Sequence, residues 1–215
     1  MDSFDLFFDV IMLTETWLQP STLSSEVLCS NYVVFRKDRQ HHDGARTLTR
    51  RGGGILIAHL QKFSSYEVIV PFAAEIEFWC IKIKLKHSYL FLVCLYIPPG
   101  SRADLYQKHC QSLTFVTSLL SSHDRLVVAG DFNLPMVSWH RDEDSPSYLQ
   151  PMAESVPYLS VINDFINLGL FQINYIKNYN SKDCVFVDNP DQFRLFRSPP
   201  LTLPEDIHHP TLEIN

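Results

Sequence analysis

The sequence predicts an α/β sandwich: two mainly antiparallel sheets packed face to face and flanked by helices. Three observations lead there. Short apolar or alternating runs recur along the 215 residues, while only two stretches adopt a helical period. Aromatic residues are frequent (15 Phe, 9 Tyr) and Gly is scarce at 7, a composition that suits pleated strands. Many strands with few helices bury their apolar faces as stacked sheets under an outer helical layer.

The elements follow in order. Residues 9–14 form a short apolar run that reads as a buried strand, and 32–35 form another. Residues 55–59, after three glycines, read as a third. In 76–86, Ile81, Ile83 and Leu85 share one parity and Lys82, Lys84 and Lys86 the other, a strand with one wet face. Residues 89–97 are almost wholly apolar and end at Pro98 and Pro99, so a central strand is expected, joined to its predecessor as a hairpin at His87 and Ser88. From 103 to 120 the period changes, and Tyr106, Cys110, Leu113 and Leu120 fall on one helical face. Residues 125–129 are a buried strand running into Gly130. Val161, Phe165 and Leu168 mark a second helix, stopped by Gly169. Short strands at 171–176, 184–188 and 211–214 close the pattern. The polar stretch 141–157 holds Pro146, Pro151 and Pro157 and reads as a long surface loop. With no repeat, long linker or low-complexity tract, 1–215 is expected to be one domain.

Net charge is −6, so no global basic field recruits nucleic acid and any such contact must be local. Cys29, Cys80, Cys94, Cys110 and Cys184 show no zinc or redox spacing and read as reduced thiols. Asp2, Asp5 and Asp9 interrupt the N-terminal apolar stretch, and no run reaches membrane-spanning length. An intracellular protein with no membrane association is expected.

Acidic and polar residues recur where apolar strands end: Glu15, Asp131 with Asn133, Asp183, and Asp206 with His209. Strand-end loops are where a rigid scaffold presents reactive groups. Carboxylates with one amide and one imidazole suit a hard cation plus a proton-transfer pair, if they converge. Taken singly, Glu15 reads as a solvated carboxylate; Asp131 and Asn133 read as turn caps or site residues, the apolar strand that feeds them favouring the site; and Tyr96 reads as core or as a site residue. The remaining histidines (His41, His42, His59, His87, His109, His123 and His140) read as surface residues.

Six blocks carry a resemblance: LTETWL at 13–18, RGGGI at 51–55, YIPPG at 96–100, GDFNLP at 130–135 with Trp139 after it, KDCVF at 182–186 and DIHHP at 206–210. In this order they resemble the endonuclease domain of non-LTR (LINE-type, Jockey-like) retrotransposons, within the endonuclease/exonuclease/phosphatase superfamily. The resemblance implies a four-layer α/β sandwich and a DNA endonuclease using Mg2+, or alternatively Mn2+. It implies that Glu15 binds the metal, with Asp206 a metal-side or water-side carboxylate. Asp131 would orient or deprotonate the attacking water, Asn133 would hold the scissile phosphate, and Tyr96 would donate to a phosphate oxygen. His209, selected over His208 by the following Pro210, would contact the phosphate, with Asp183 fixing its orientation. DNA is the implied partner, together with a reverse transcriptase domain or longer parent polyprotein, and the nucleus the implied compartment.

The family also has a strand bearing an asparagine, then a helix, ahead of the glutamate block. Here only residues 1–8 precede the strand at Asp9, so an N-terminally truncated domain with an unpaired sheet edge is expected. An inactive fragment kept as a binding module, and a phosphatase of the same superfamily, are the alternatives. Finally, 36–51 holds Arg36, Lys37, Arg39, Arg46, Arg50 and Arg51 against Asp38 and Asp43. It reads as a solvated loop or a nucleic-acid backbone contact. Gly52 to Gly54 lack the lysine and spacing of a nucleotide-binding loop.

Overall fold

The structure is a computed structural model that describes residues 8–39, 52–134, 136–142, 145–153, 156–176, 182–198 and 209–215. β1 (Val10–Thr14), β2 (Tyr32–Lys37) and β3 (Ile55–Leu60) make a three-stranded antiparallel sheet in the order β1-β3-β2. β1 and β2 are its two edges. Helix α1 (Ser24–Val27) is one turn lying between β1 and β2 in sequence.

The larger sheet has eight strands in the order β4-β5-β6-β7-β11-β10-β9-β8. They are β4 (Ser65–Glu67), β5 (Glu77–Lys84), β6 (Tyr89–Tyr96), β7 (Arg125–Asp131), β8 (Val137–Asp142), β9 (Ser145–Ala153), β10 (Phe171–Gln172) and β11 (Asp183–Val187). Every pair is antiparallel except β6 with β7, whose connection carries helix α2 (Ala103–Ser118). A parallel pair needs such a crossover, because a tight turn cannot return the chain to the same end. Helix α3 (Val156–Asn167) ends at Gly169, whose φ of 72° lets the chain leave the last turn. β12 (Leu195–Arg197) and β13 (Leu212–Ile214) pair separately.

The layers follow from side-chain alternation. In β7, Leu126 and Val128 face α2 and α3, where Leu113, Val116, Ile162 and Phe165 meet them. Val127 and Ala129 point the other way, into the space between the sheets, with Ile55, Ile57, Leu92 and Cys94. Central strands are thus apolar on both faces, which is why they read as unbroken hydrophobic runs. The outer face of the small sheet, with Ile11, Leu56 and Ala58, is covered by Leu28 and Tyr32 and the edge of α1. The two-sheet, helix-flanked class is as predicted. Among the described residues the helical layer on that outer face is a single turn.

The predicted loop at 141–157 is instead the β8–β9 hairpin and the start of α3. Its prolines mislead for two reasons. Pro146 and Pro151 lie in β9, which pairs along its length with β8 but with β10 at Leu149 alone among the described residues, so one side of the strand asks few hydrogen bonds of them. Pro157 lies in the first turn of α3, where no backbone donor is needed. Two histidines are also not on the surface. His59 lies in central strand β3 and is fully buried, its Nε2 2.6 Å from Ser65 Oγ and its Nδ1 2.9 Å from the Leu60 carbonyl.

His109 sits on the inner face of α2 beside Phe78, and neither ring nitrogen has a hydrogen-bond partner among the described residues. Burial, helped by the Lys37 charge, depresses its pKa to about 3. The unfolded chain therefore binds a proton that the folded chain refuses between about pH 6.5 and pH 3. Stability is full above pH 6.5 and falls as the pH drops through that window, by on the order of 2 kcal/mol at pH 5. Chemical denaturation of His109→Phe is expected to lose this acid sensitivity. An unchanged slope of stability against pH between 7 and 5 would remove His109 as its source.

Candidate active site

The site is built on a row across the large sheet. Glu77 of β5 opposes Tyr96 of β6, Tyr96 opposes Asp131 of β7, and Asp131 opposes Asp183 of β11. Directly opposed residues project to one face, here the face that the small sheet covers. Two backbone bonds hold the row together where the strands end: Ile97 N–H donates to the Asp131 carbonyl and Phe132 N–H to the Lys182 carbonyl, each at 2.8 Å. Gly130 is required by close approach, since a Cβ there would stand 1.9 Å from the Leu95 carbonyl oxygen.

After Asp131 the chain turns through Asn133 in the left-handed region, at φ 44°. Asn133 N–H donates to Asp131 Oδ1 at 3.0 Å, and its amide Nδ2 donates to the Ile97 carbonyl at 2.8 Å. The Tyr106 hydroxyl of α2 donates to the Asn133 carbonyl at 2.9 Å. Asn133 therefore ties the ends of β6 and β7 to each other, which uses one of its two amide hydrogens.

Glu15 arrives from the small sheet. It follows β1, which packs over β6 and β7. Glu15 and Trp17 both take positive φ, 50° and 54°. That conformation costs an L-residue roughly 1–2 kcal/mol. It is held by bonds from Thr16 N–H to the Gly54 carbonyl at 3.2 Å and from Trp17 N–H to the Gly53 carbonyl at 2.9 Å. The glycine-rich stretch thus pins the turn that aims Glu15 inward. The Tyr96 hydroxyl donates to Glu15 Oε1 at 2.5 Å. Burial and this bond hold the Tyr96 phenol above its ordinary pKa, so it stays protonated.

His209 closes the site. Its Nδ1 lies 3.0 and 3.2 Å from the two oxygens of Asp183. The bond to Asp183 raises the imidazole pKa, against the opposing effect of burial. With Nδ1–H directed at Asp183, Nε2 is the nitrogen left to face a substrate. Asp131, Asp183 and His209 offer ligand atoms within 4.8 Å of one another. Burial first, and the Asp183 charge second, push the Asp131 carboxyl up to about 6, with Glu15 adding to the shift. Crowded carboxylates with oxygen donors fit a hard divalent cation, which would relieve that repulsion.

The structure brings Glu15, Tyr96, Asn133, Asp131, Asp183 and His209 to one end of the sandwich. Asp206, Arg50 and Arg51 lie outside the described residues. The basic segment does not begin as a loop: Arg36 and Lys37 are in β2. Arg36 pairs with Asp38 at 3.1 Å, and Lys37 Nζ donates to the Ala73 and Ala74 carbonyls, so both serve the fold. Arg39 is at the site, with its guanidinium 5.1 Å from the centre of the Tyr96 ring and bonded to Glu77.

Two participants escaped sequence reasoning. Glu77 also accepts from Gly54 N–H, and Asn174 Nδ2 donates to the Asp183 carbonyl at 2.8 Å. Glu77 heads an alternating strand, a signal that an acidic residue stands at the same sheet end, but nothing local links it to residue 39.

No family model and no curated protein matches the sequence. Solved structures do. A 3'-5' exonuclease (NExo) from Neisseria meningitidis superposes with a TM-score of 0.61 at 12% identity, covering 96% of this chain and 88% of that one. The endonuclease domain of TRAS1, a telomere-specific non-LTR retrotransposon, gives a TM-score of 0.58 at 13% identity, covering 86% and 80%. An endonuclease/exonuclease/phosphatase from Beutenbergia cavernae gives 0.50 at 12% identity, covering 87% of this chain and 56% of that one. The fold of this chain is that of the endonuclease/exonuclease/phosphatase superfamily.

Proposed function

We propose that the protein is a divalent-metal-dependent phosphodiester hydrolase that nicks DNA, with Mg2+ as its ion and Mn2+ as a substitute. The observation that carries this reading is the row of Tyr96, Asp131 and Asp183 at one sheet end, completed by the His209–Asp183 pair. Glu15 and Asp206 would hold the cation, which when bound offsets negative charge developing on the phosphate. Asp131, opposed to Tyr96 and Asp183 at the sheet end, would orient the attacking water or take its proton. His209, its imidazole pKa raised by the bond to Asp183, would donate from Nε2 to a phosphoryl oxygen. Tyr96 and the second amide hydrogen of Asn133 supply further donors. By resemblance the nick would serve target-primed reverse transcription, with a polymerase domain in the same or a separate polypeptide and the nucleus as compartment.

Supercoiled plasmid is the test. Wild type should convert it to the open circle with Mg2+ and not with EDTA, while the Asp131→Ala, His209→Ala double variant should be inert. Folded protein that never nicks plasmid but cleaves a soluble phosphomonoester would replace this reading with a phosphatase. Inactivity on both would leave a binding module.

A further inference from the structure

We infer that Trp17 and Arg39 form a subsite for a backbone phosphate of the DNA strand, beside the scissile one. The inference rests on the nuclease reading above. Both residues reach the same point. A methyl group placed on Gly52 would stand 3.8 Å from Trp17 Nε1 and 4.0 Å from Arg39 Nη1. Among the described residues, two N–H donors of different chain segments thus converge on the one backbone position of Gly52.

Each donor is held in place. Glu77 takes Arg39 through Nε and Nη2, so Nη1 is not among the atoms it holds. The guanidinium also lies against Gly53, where a Cβ would meet Cζ at 2.2 Å, and over the Tyr96 ring. Arg39 is thus fixed between Gly53 and Tyr96, whose hydroxyl it also hydrogen-bonds, with its side chain 20% exposed. Trp17 is 56% exposed, its ring turned outward by the strained turn that turns Glu15 inward. The ligand class follows from the donors. Two N–H groups, one of them cationic and forked, suit a phosphate oxygen pair and not a metal ion. A chain of net charge −6 whose reactive centre is lined by carboxylates repels a polyanion, so a fixed local donor pair is what would seat the strand.

The test is binding, read apart from catalysis. A fluorescein-labelled duplex oligonucleotide is titrated by anisotropy against the Asp131→Ala protein, and against the same protein carrying Trp17→Phe, Arg39→Met or both, over a range of NaCl. Arg39→Met should weaken binding by ~10-fold and make the slope of log K against log [salt] shallower by about 0.9. Trp17→Phe, at an exposed position, should keep the slope and weaken binding by about 3-fold or more. The double variant should match Arg39→Met within about 2-fold, because both donors serve one phosphate. Arg39→Lys should restore the slope but not the full affinity, and it covers the case of an unstable methionine variant. An unchanged slope in Arg39→Met, or effects that multiply in the double variant, would overturn the subsite while leaving the nuclease reading intact. Duplex binding absent from the parent protein even at low salt would overturn both.

Discussion

Alanine at His209 is expected to lower metal-dependent nicking by about 1,000-fold or more, with little change in melting temperature. The imidazole is 32% exposed and lies at the end of the sandwich, so the core loses little by its removal. The reaction loses the donor that Asp183 orients through Nδ1 and whose pKa it raises. Asparagine at Asp183 should fall between, at roughly 100-fold, because it can still accept from Nδ1–H but no longer offers a charge to the imidazolium. Rates on plasmid, with circular dichroism as a control on folding, separate these outcomes. A His209→Ala protein within a few-fold of wild type would remove His209 from the reaction. An Asp183→Asn protein as inactive as His209→Ala would mean that the charge, and not only the orientation, is indispensable.

The largest effect on stability is expected at Gly130. Alanine there places a methyl group 1.9 Å from the Leu95 carbonyl oxygen, and the obstacle is backbone of the neighbouring strand, not a side chain that can swing away. β6 and β7 must separate at the register pair Leu95 and Gly130, one position from Tyr96 and Asp131. Destabilisation of about 3 kcal/mol or more follows, a drop in melting temperature on the order of 6–12 °C for a domain of this size. Nicking should fall as well, since the same movement parts Tyr96 from Asp131. A variant with native melting temperature and native rate would show that the two strands are not held as described. Serine at Gly100, where a Cβ meets nothing within 4 Å but φ is 70°, serves as a mild comparison.

What could be read in the sequence was whatever the local pattern encodes. Alternation in β5 and the unbroken apolar runs of β6 and β7 gave strand type and depth, because one or two buried faces leave period-two or continuous signals. The strand-end positions of Glu15, Asp131, Asp183 and His209 were legible too, since polar residues that interrupt apolar runs stand out. The β8–β9 hairpin was not, because prolines in a strand bonded mainly on one side look like a loop. Nor was the interior place of His109, which a helical face only half reveals. Sequence alone determined the sandwich class, the order of its main strands and helices, and most of the residues that could carry chemistry. Tertiary structure decided which of them meet: the parallel register that sets Tyr96 beside Asp131, the Nδ1 bond joining residues 183 and 209, and the reach of Arg39 across to Glu77. Those contacts are long-range, and local propensity carries no information about which distant strand ends come to lie side by side.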